Sequence, residues 1–157
     1  MRYVEAPEEF SGPGPSVFLA GGITRCPDWQ QAVVEELADL EVTVFNPRRK
    51  SFPLHDPDAE AVQVGWEYRH LRRADHVLFW FPSSSSHQPI ALYELGMAAG
   101  DRDACLTVGA DPRYVRRTNL VAQLSYARPG LRVHGTLPET ITSCRSALET
   151  PRSPVRG

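Results

Sequence analysis

The sequence predicts an α/β domain with a five-stranded parallel sheet and helices on both of its faces. Short, continuous apolar runs alternate with helical segments five times along the chain, and parallel strands need such long crossovers to connect them. The runs SVFLAG and HVLFWF are almost continuously apolar, as strands buried on both faces are. With 157 residues, 41% of them apolar and 23% charged, the chain has the length and composition of one globular domain.

The first half of the chain contains three predicted strands and two helices. The run SVFLAG (16–21) is the first strand, and Asp28 is placed to cap the helix over 29–40. The second strand (41–47) is stopped by Pro47. The second helix (58–73) is predicted from one apolar face that repeats with helical spacing. That face comprises Ala61, Val64, Tyr68 and Leu71. The strand over 75–81 is the most apolar of the five and is expected at the centre of the sheet.

The second half continues the alternation. Pro89 is placed to begin a helix over 89–100, and strands over 105–109 and 131–135 alternate with helices over 116–127 and 137–149. Residues 1–15 and 149–157 are rich in proline, glycine and charge, so we expect two flexible tails around a domain spanning 16–148.

Composition argues against several classes of function. A net charge of −2 and a pI near 6.2 disfavour binding to nucleic-acid polymers or to membrane surfaces. No apolar run is long enough to span a bilayer. Three separated cysteines without C-x-x-C spacing predict reduced thiols in a cytoplasm, and five scattered histidines without the spacing of a helical metal pair argue against a metal site.

The strand ends indicate where a ligand binds. In parallel α/β sheets, ligands bind at the carboxyl ends of the strands. Four segments follow strands here, namely GGITRCPDW, NPRRK, PSSSSHQP and VGADPRYVRR. They combine small residues or bare backbone with positive charge, a composition that suits a nucleotide or a sugar phosphate.

Two carboxylates are candidate catalytic residues. Glu94 is the only charge in the helical stretch IALYELGMAA, where a carboxylate is rare unless it is paired or functional. It is a candidate nucleophile, and the alternative is a structural carboxylate bonded to a loop. Glu67 lies at the edge of the apolar face of the second helix, and its alternative role is a surface salt bridge with Arg73. Cys26 is a weaker candidate nucleophile.

Taken together, the segments VFLAGGI, FNPRR, WEYRHLRRADHVLFWF and PIALYELGMAAG resemble the nucleoside 2-deoxyribosyltransferase family, in its smaller transferase-like or nucleotide N-glycosidase branch. The resemblance covers about residues 16–148 and implies a single flavodoxin-like domain. It implies that Glu94 attacks C1′ of the sugar and that Glu67 protonates or orients the leaving base. It implies a homodimer or higher oligomer that needs no metal or cofactor. The substrate-binding residues it implies are Phe18, Gly21, Gly22, Ile23, Asn46, Arg48, Trp66, Ser86, Gln88 and Tyr93.

Two departures leave the substrate open. Phe18 stands where the exchange enzymes carry a tyrosine, and Gln88 stands where they carry Asp and the monophosphate hydrolases carry Ser. Base exchange and monophosphate hydrolysis therefore both remain possible, although Arg25, Arg48 and Arg49 favour a phosphorylated substrate slightly. The alternatives are a nucleotide-binding module without chemistry, a glycohydrolase of NAD type, and a Cys26-dependent transferase.

Overall fold

The computed structural model describes residues 1–53 and 55–150, and its centre is a parallel sheet. The strands stand in the order β1-β3-β2-β4-β5-β6, and every neighbouring pair is parallel. The fold class is therefore confirmed, with six strands in place of the five predicted. The strands are β1 (Arg2–Glu5), β2 (Ser16–Gly21), β3 (Thr43–Asn46), β4 (His76–Phe81), β5 (Leu106–Ala110) and β6 (Val133–His134).

Among the described residues, five helices cover the two faces of the sheet, as predicted. They are α1 (Trp29–Glu36), α2 (Ala59–Arg73), α3 (Pro89–Gly100), α4 (Arg117–Ala127) and α5 (Leu137–Glu149). Alternate strand residues point to opposite faces, so Phe18 and Phe79 pack under α2, α3 and α4, whereas Leu19 and Leu78 pack under α1 and α5. Asp28 caps α1, because its side chain accepts a hydrogen bond from the Gln31 amide. None of the described helices is both long and apolar enough to cross a membrane.

The N-terminal segment is not a tail, so that prediction is wrong for its first residues. Arg2–Glu5 forms β1 at the edge of the sheet, where Tyr3 pairs with Val44 of β3. The backbone carbonyl of Glu8 then accepts a 2.6 Å hydrogen bond from the Trp66 indole. A four-residue strand between charged residues gives little periodic signal, and its partner is far away in sequence. Of the predicted C-terminal tail (149–157), Glu149 ends the last helix, and residues 151–157 lie outside the described residues.

The buried face of α2 also differs from the prediction. Val64 and Tyr68 are more than half exposed, whereas Trp66 and His70 are buried. The rings of Trp66 and His70 stack with centroids 4.2 Å apart, and His70 Nδ1 lies 2.9 Å from the Trp66 carbonyl oxygen. The polar residue His70 therefore belongs to the core, which rotates the helix relative to the predicted face. On the helix in this orientation, the Glu67 side chain lies near the carboxyl end of β2.

The order of the strands locates the place where a ligand can enter. From β2 the chain moves to β3 on one side, and it then returns to β4 on the other side of β2. The connections after β2 and β4 therefore diverge to opposite faces and leave a crevice between them. The helices that border this crevice are α2 and α3.

Candidate functional site

A cleft of about 220 Å³ lies at the carboxyl ends of β2 and β4. Its floor is apolar, and its walls come from the loop after β2, the loop after β3, one side chain of α2 and the beginning of α3. The lining residues are Phe18, Ala20, Gly21, Gly22, Ile23, Thr24, Pro47, Glu67, Ser86, Gln88, Pro89, Ile90, Ala91 and Glu94. Both predicted carboxylates are among them, although they come from different helices.

Glu94 lies on the second turn of α3, between the cleft and the sheet. The buried neighbours Ala91 and Leu95 anchor this turn of the helix on the core. Burial and, to a smaller extent, the nearby charge of Glu67 together raise the pKa of the Glu94 carboxyl to about 8. Phe18, on the floor of the cleft, has no hydroxyl that could stabilise the ionised form. Glu94 therefore keeps its proton near neutral pH.

Glu67 has a hydrogen-bond donor at its carboxyl group. Its Oε1 accepts a 2.7 Å hydrogen bond from Nε2 of Gln63, one helical turn earlier on α2. Burial raises the pKa of Glu67, and this hydrogen bond opposes the rise. The alternative predicted from sequence, a salt bridge with Arg73, is wrong, because the Arg73 guanidinium donates to the Gly12 carbonyl.

The two carboxyls act as one titrating pair. The charge of Glu67 adds to the effect of burial on Glu94, so Glu94 is the later of the two carboxyls to ionise. The hydrogen bond to Glu67 favours the ionised form of that residue, so a proton resides on Glu94 in the free protein. An acid and a base that face one cleft are the requirement for general acid–base and nucleophilic chemistry on a bound substrate.

The glycines after β2 are required by the backbone geometry. Gly21 has a φ of 144°, and a Cβ there would lie 2.0 Å from the Trp80 carbonyl oxygen. A Cβ on Gly22 would lie 2.6 Å from Gln88 Oε1 and 2.5 Å from Cys26 Sγ. The loop after β2 therefore presents bare backbone to the cleft because side chains do not fit there.

The structure brings most of the predicted site residues together. Besides the two carboxylates, the lining includes the predicted residues Phe18, Gly21, Gly22, Ile23, Ser86 and Gln88. Gln88 begins α3 in a left-handed conformation, and its Nε2 donates to the Pro82 carbonyl at 2.9 Å. Sequence reasoning missed Thr24, Pro47 and Gln63. The spacing of Gln63, four residues before Glu67, was the available signal.

Asn46 and Arg48 support the cleft from behind and do not line it. The Arg48 guanidinium donates to Gln30 Oε1 and to three carbonyl oxygens of the loop over 23–27, at 2.9–3.2 Å. Asn46 accepts from the Arg48 amide and donates to the Tyr3 hydroxyl. Arg25 and Arg49 are also absent from the lining, so no arginine of the described lining favours a phosphorylated substrate.

Trp66 and Tyr93 also lie outside the cleft. Trp66 is fully buried among Phe18, Phe45 and His70, so it is a core residue. Tyr93 is 65% exposed on the outer side of α3. Within residues 1–53 and 55–150, no group of three or more His, Cys, Asp or Glu side chains is arranged to hold a metal ion.

Comparison with known proteins identifies the family of the chain. No curated protein matches the chain. A family model described as nucleoside 2-deoxyribosyltransferase like matches residues 14–114, which is more than half of the chain and includes both carboxylates of the cleft. The chain therefore belongs to the nucleoside 2-deoxyribosyltransferase-like family.

Proposed function

We propose that the protein cleaves or transfers at the N-glycosidic bond of a nucleoside, a 2′-deoxynucleoside or a nucleoside 5′-monophosphate. The observation that carries the proposal is the pair formed by Glu67 and Glu94, which line one cleft and whose pKa values are both raised by burial. Membership of the family supports the class of substrate.

The reaction proceeds in two steps with Glu94 as the nucleophile. In the first step the Glu94 carboxylate attacks C1′, the C1′–N bond breaks, and its electron pair leaves with the base, which takes a proton from Glu67. The product is a glycosyl ester on Glu94. In the second step water or another base attacks C1′ and frees the Glu94 carboxylate, while Glu67 takes up the proton of the attacking group.

The proton must change place before the first step. In the free protein it resides on Glu94, whereas the reaction needs an ionised Glu94 and a protonated Glu67. Transfer within the pair leaves its total charge unchanged. A base that accepts a hydrogen bond from Glu67 stabilises the protonated form of that residue, so substrate binding favours the productive arrangement.

A chromatographic assay for free base tests the proposal. Purified protein is incubated with nucleosides, 2′-deoxynucleosides, their 5′-monophosphates and NAD, each with and without a second base, beside the variants Glu94→Ala and Tyr93→Phe. We expect release by the wild type and by the Tyr93 variant but not by the Glu94 variant. A need for the second base indicates exchange, and release without it indicates hydrolysis. Equal release by the Glu94 variant would refute the proposal.

A nucleotide-binding module without chemistry is the second candidate. It is favoured by the raised pKa of the buried Glu94 carboxyl, because the neutral form that burial favours is a hydrogen-bond donor and not a nucleophile. Calorimetric titration with the same ligands separates the two functions. Tight binding to both wild type and Glu94→Gln, with no base released by either, would establish this second function.

A cysteine nucleophile has less support from the structure. Cys26 Sγ lies 3.4 Å from Ser84 Oγ and 3.5 Å from the Thr24 carbonyl, and neither group is a base that could activate a thiol. Treatment with a thiol-alkylating reagent in the base-release assay tests it. Loss of activity on alkylation, with activity kept by Glu94→Ala, would move the chemistry to Cys26.

The proposal includes a homodimer or higher oligomer. Ile90, Tyr93 and Met97 form an exposed apolar stripe on α3, and Val64 and Tyr68 form another on α2. Ile90 also lines the cleft, so a second copy seated on these stripes would help to close it. Light scattering after gel filtration measures the mass of the particle. We expect Tyr93→Glu to reduce that mass to one chain of 17.5 kDa.

A further inference from the structure

The side-chain amide of Gln63 joins two parts of the cleft. Gln63 lies on α2, one turn before Glu67, and is half-buried. Its Nε2 donates a 2.8 Å hydrogen bond to the Pro47 carbonyl and a 2.7 Å hydrogen bond to Glu67 Oε1. The amide therefore connects the loop after β3 with a carboxylate on α2, and both of these groups line the cleft.

The orientation of this amide follows from chemistry. The Pro47 carbonyl is only an acceptor, so the amide nitrogen and not the oxygen must face it. The same nitrogen then offers its second hydrogen to Glu67. The contact therefore favours a Glu67 carboxyl that is ionised and fixed in position.

Gln63 Oε1 remains buried without a hydrogen-bond partner among the described residues. A buried oxygen without a partner lowers stability, so a glutamine is a poor residue for stability alone at this position. An apolar side chain of similar length would avoid that loss. The two donated hydrogen bonds are what a glutamine supplies here and an apolar side chain would not.

A second glutamine on the protein provides a comparison. Gln31 on α1 donates to Glu35 Oε1 at 2.8 Å, with the same spacing of four residues as Gln63 and Glu67. That pair is exposed to solvent and lies outside the cleft. The helical spacing alone therefore does not distinguish Gln63. Gln63 differs from Gln31 because it is half-buried and because it donates an additional hydrogen bond to the Pro47 carbonyl.

We propose that Gln63 is a positioning residue that holds the Glu67 carboxylate at the cleft and makes it the first of the two carboxyls to ionise. This inference rests on the proposed function. Without Gln63, Glu67 would lose both its fixed place and its donor, and the pair would ionise at a higher pH. Gln63 acts through Glu67, since Gln63 itself does not line the cleft.

The test compares Gln63→Met, Gln63→Glu and Gln31→Met with the wild type. Methionine keeps the length of the side chain without a donor, and glutamate replaces the donor with an acceptor. The measurement is the pH dependence of kcat/KM for base release. We expect the acidic limb to move up by about one pH unit in both Gln63 variants, as the loss of a hydrogen bond to a charged group predicts. Gln31→Met should keep the wild-type profile.

An NMR titration of the ¹³C-labelled Glu67 carboxyl keeps the inference testable if no base is released. If the wild type is inactive, the proposed function fails, and the titration alone decides the role of Gln63. A higher midpoint in Gln63→Met, which removes the donor without adding a charge, supports the inference. An unchanged midpoint and an unchanged acidic limb overturn it, even if stability or kcat falls, since a merely structural residue would produce only those losses.

Discussion

Replacement of Glu94 by glutamine should make the protein more stable at alkaline pH, although it removes the proposed nucleophile. Burial and the charge of Glu67 raise the pKa of Glu94 from 4.5 to about 8 in the folded protein. Between these two values the folded protein holds a proton that the unfolded chain has released. The contribution of Glu94 to wild-type stability therefore falls as the pH rises through this range. A neutral amide of the same shape does not titrate.

The size of the effect follows from the shift in pKa. At about 1.4 kcal/mol per pKa unit, the shift from 4.5 to about 8 sets an upper limit of about 5 kcal/mol. The cleft is open on one side, and water that reaches the carboxylate reduces the cost of its charge. We therefore expect the free energy of unfolding of Glu94→Gln, relative to the wild type, to rise by about 2 kcal/mol between pH 5 and pH 9.

Urea denaturation of both proteins at pH 5, 7 and 9 measures this difference directly. The variant Glu36→Gln, which removes an exposed carboxylate from the end of α1, gives the background effect of losing one surface charge. A difference between Glu94→Gln and the wild type that stays constant from pH 5 to pH 9 would refute the reasoning. Equal pH dependence in the Glu36 variant would show that the effect does not come from the cleft.

Three further outcomes are expected. Arg48→Met removes the donor to the loop carbonyls, so we expect faster proteolysis of residues 22–28 and a several-fold higher KM in the base-release assay. Gly109→Ala places a Cβ 2.0 Å from Thr140 Oγ1, so urea denaturation should show a loss of about 3 kcal/mol, and retention of full stability would contradict the close packing of α5. Trp66→Phe removes the hydrogen bond to the Glu8 carbonyl, so amide hydrogen exchange in residues 2–9 should accelerate, with about 1 kcal/mol less stability.

The alternation of strands and helices could be predicted from sequence because each buried strand is a continuous apolar run. β1 could not be predicted in this way, since its sequence RYVE is short and its hydrogen bonds go to β3, about 40 residues later in the chain. Its place depends on a sheet edge that exists only after the rest has folded.

The two carboxylates could be predicted for different reasons. Glu94 stands out as the one charge of an apolar helix, whereas Glu67 depended on a resemblance and on a predicted face of α2 that proved wrong. Hydropathy treats His70 as polar and Tyr68 as apolar, while packing buries the former and exposes the latter. The binding role predicted for Arg48 failed for a related reason. Sequence shows that an arginine follows a strand, but not that neighbouring carbonyls already occupy its guanidinium.

The position of α5 has a consequence for synthesis of the chain. Ile141 and Cys144 of α5 cover the face of the sheet that carries Leu19, Leu78 and Trp80. On the ribosome, β2 and β4 emerge long before residues 137–149, so this apolar face stays partly uncovered during most of translation. Nascent chains that have not reached α5 are therefore the form most exposed to aggregation and to chaperones. The capping box at Thr136 and Glu139, which helps α5 to form as soon as it emerges, shortens that period.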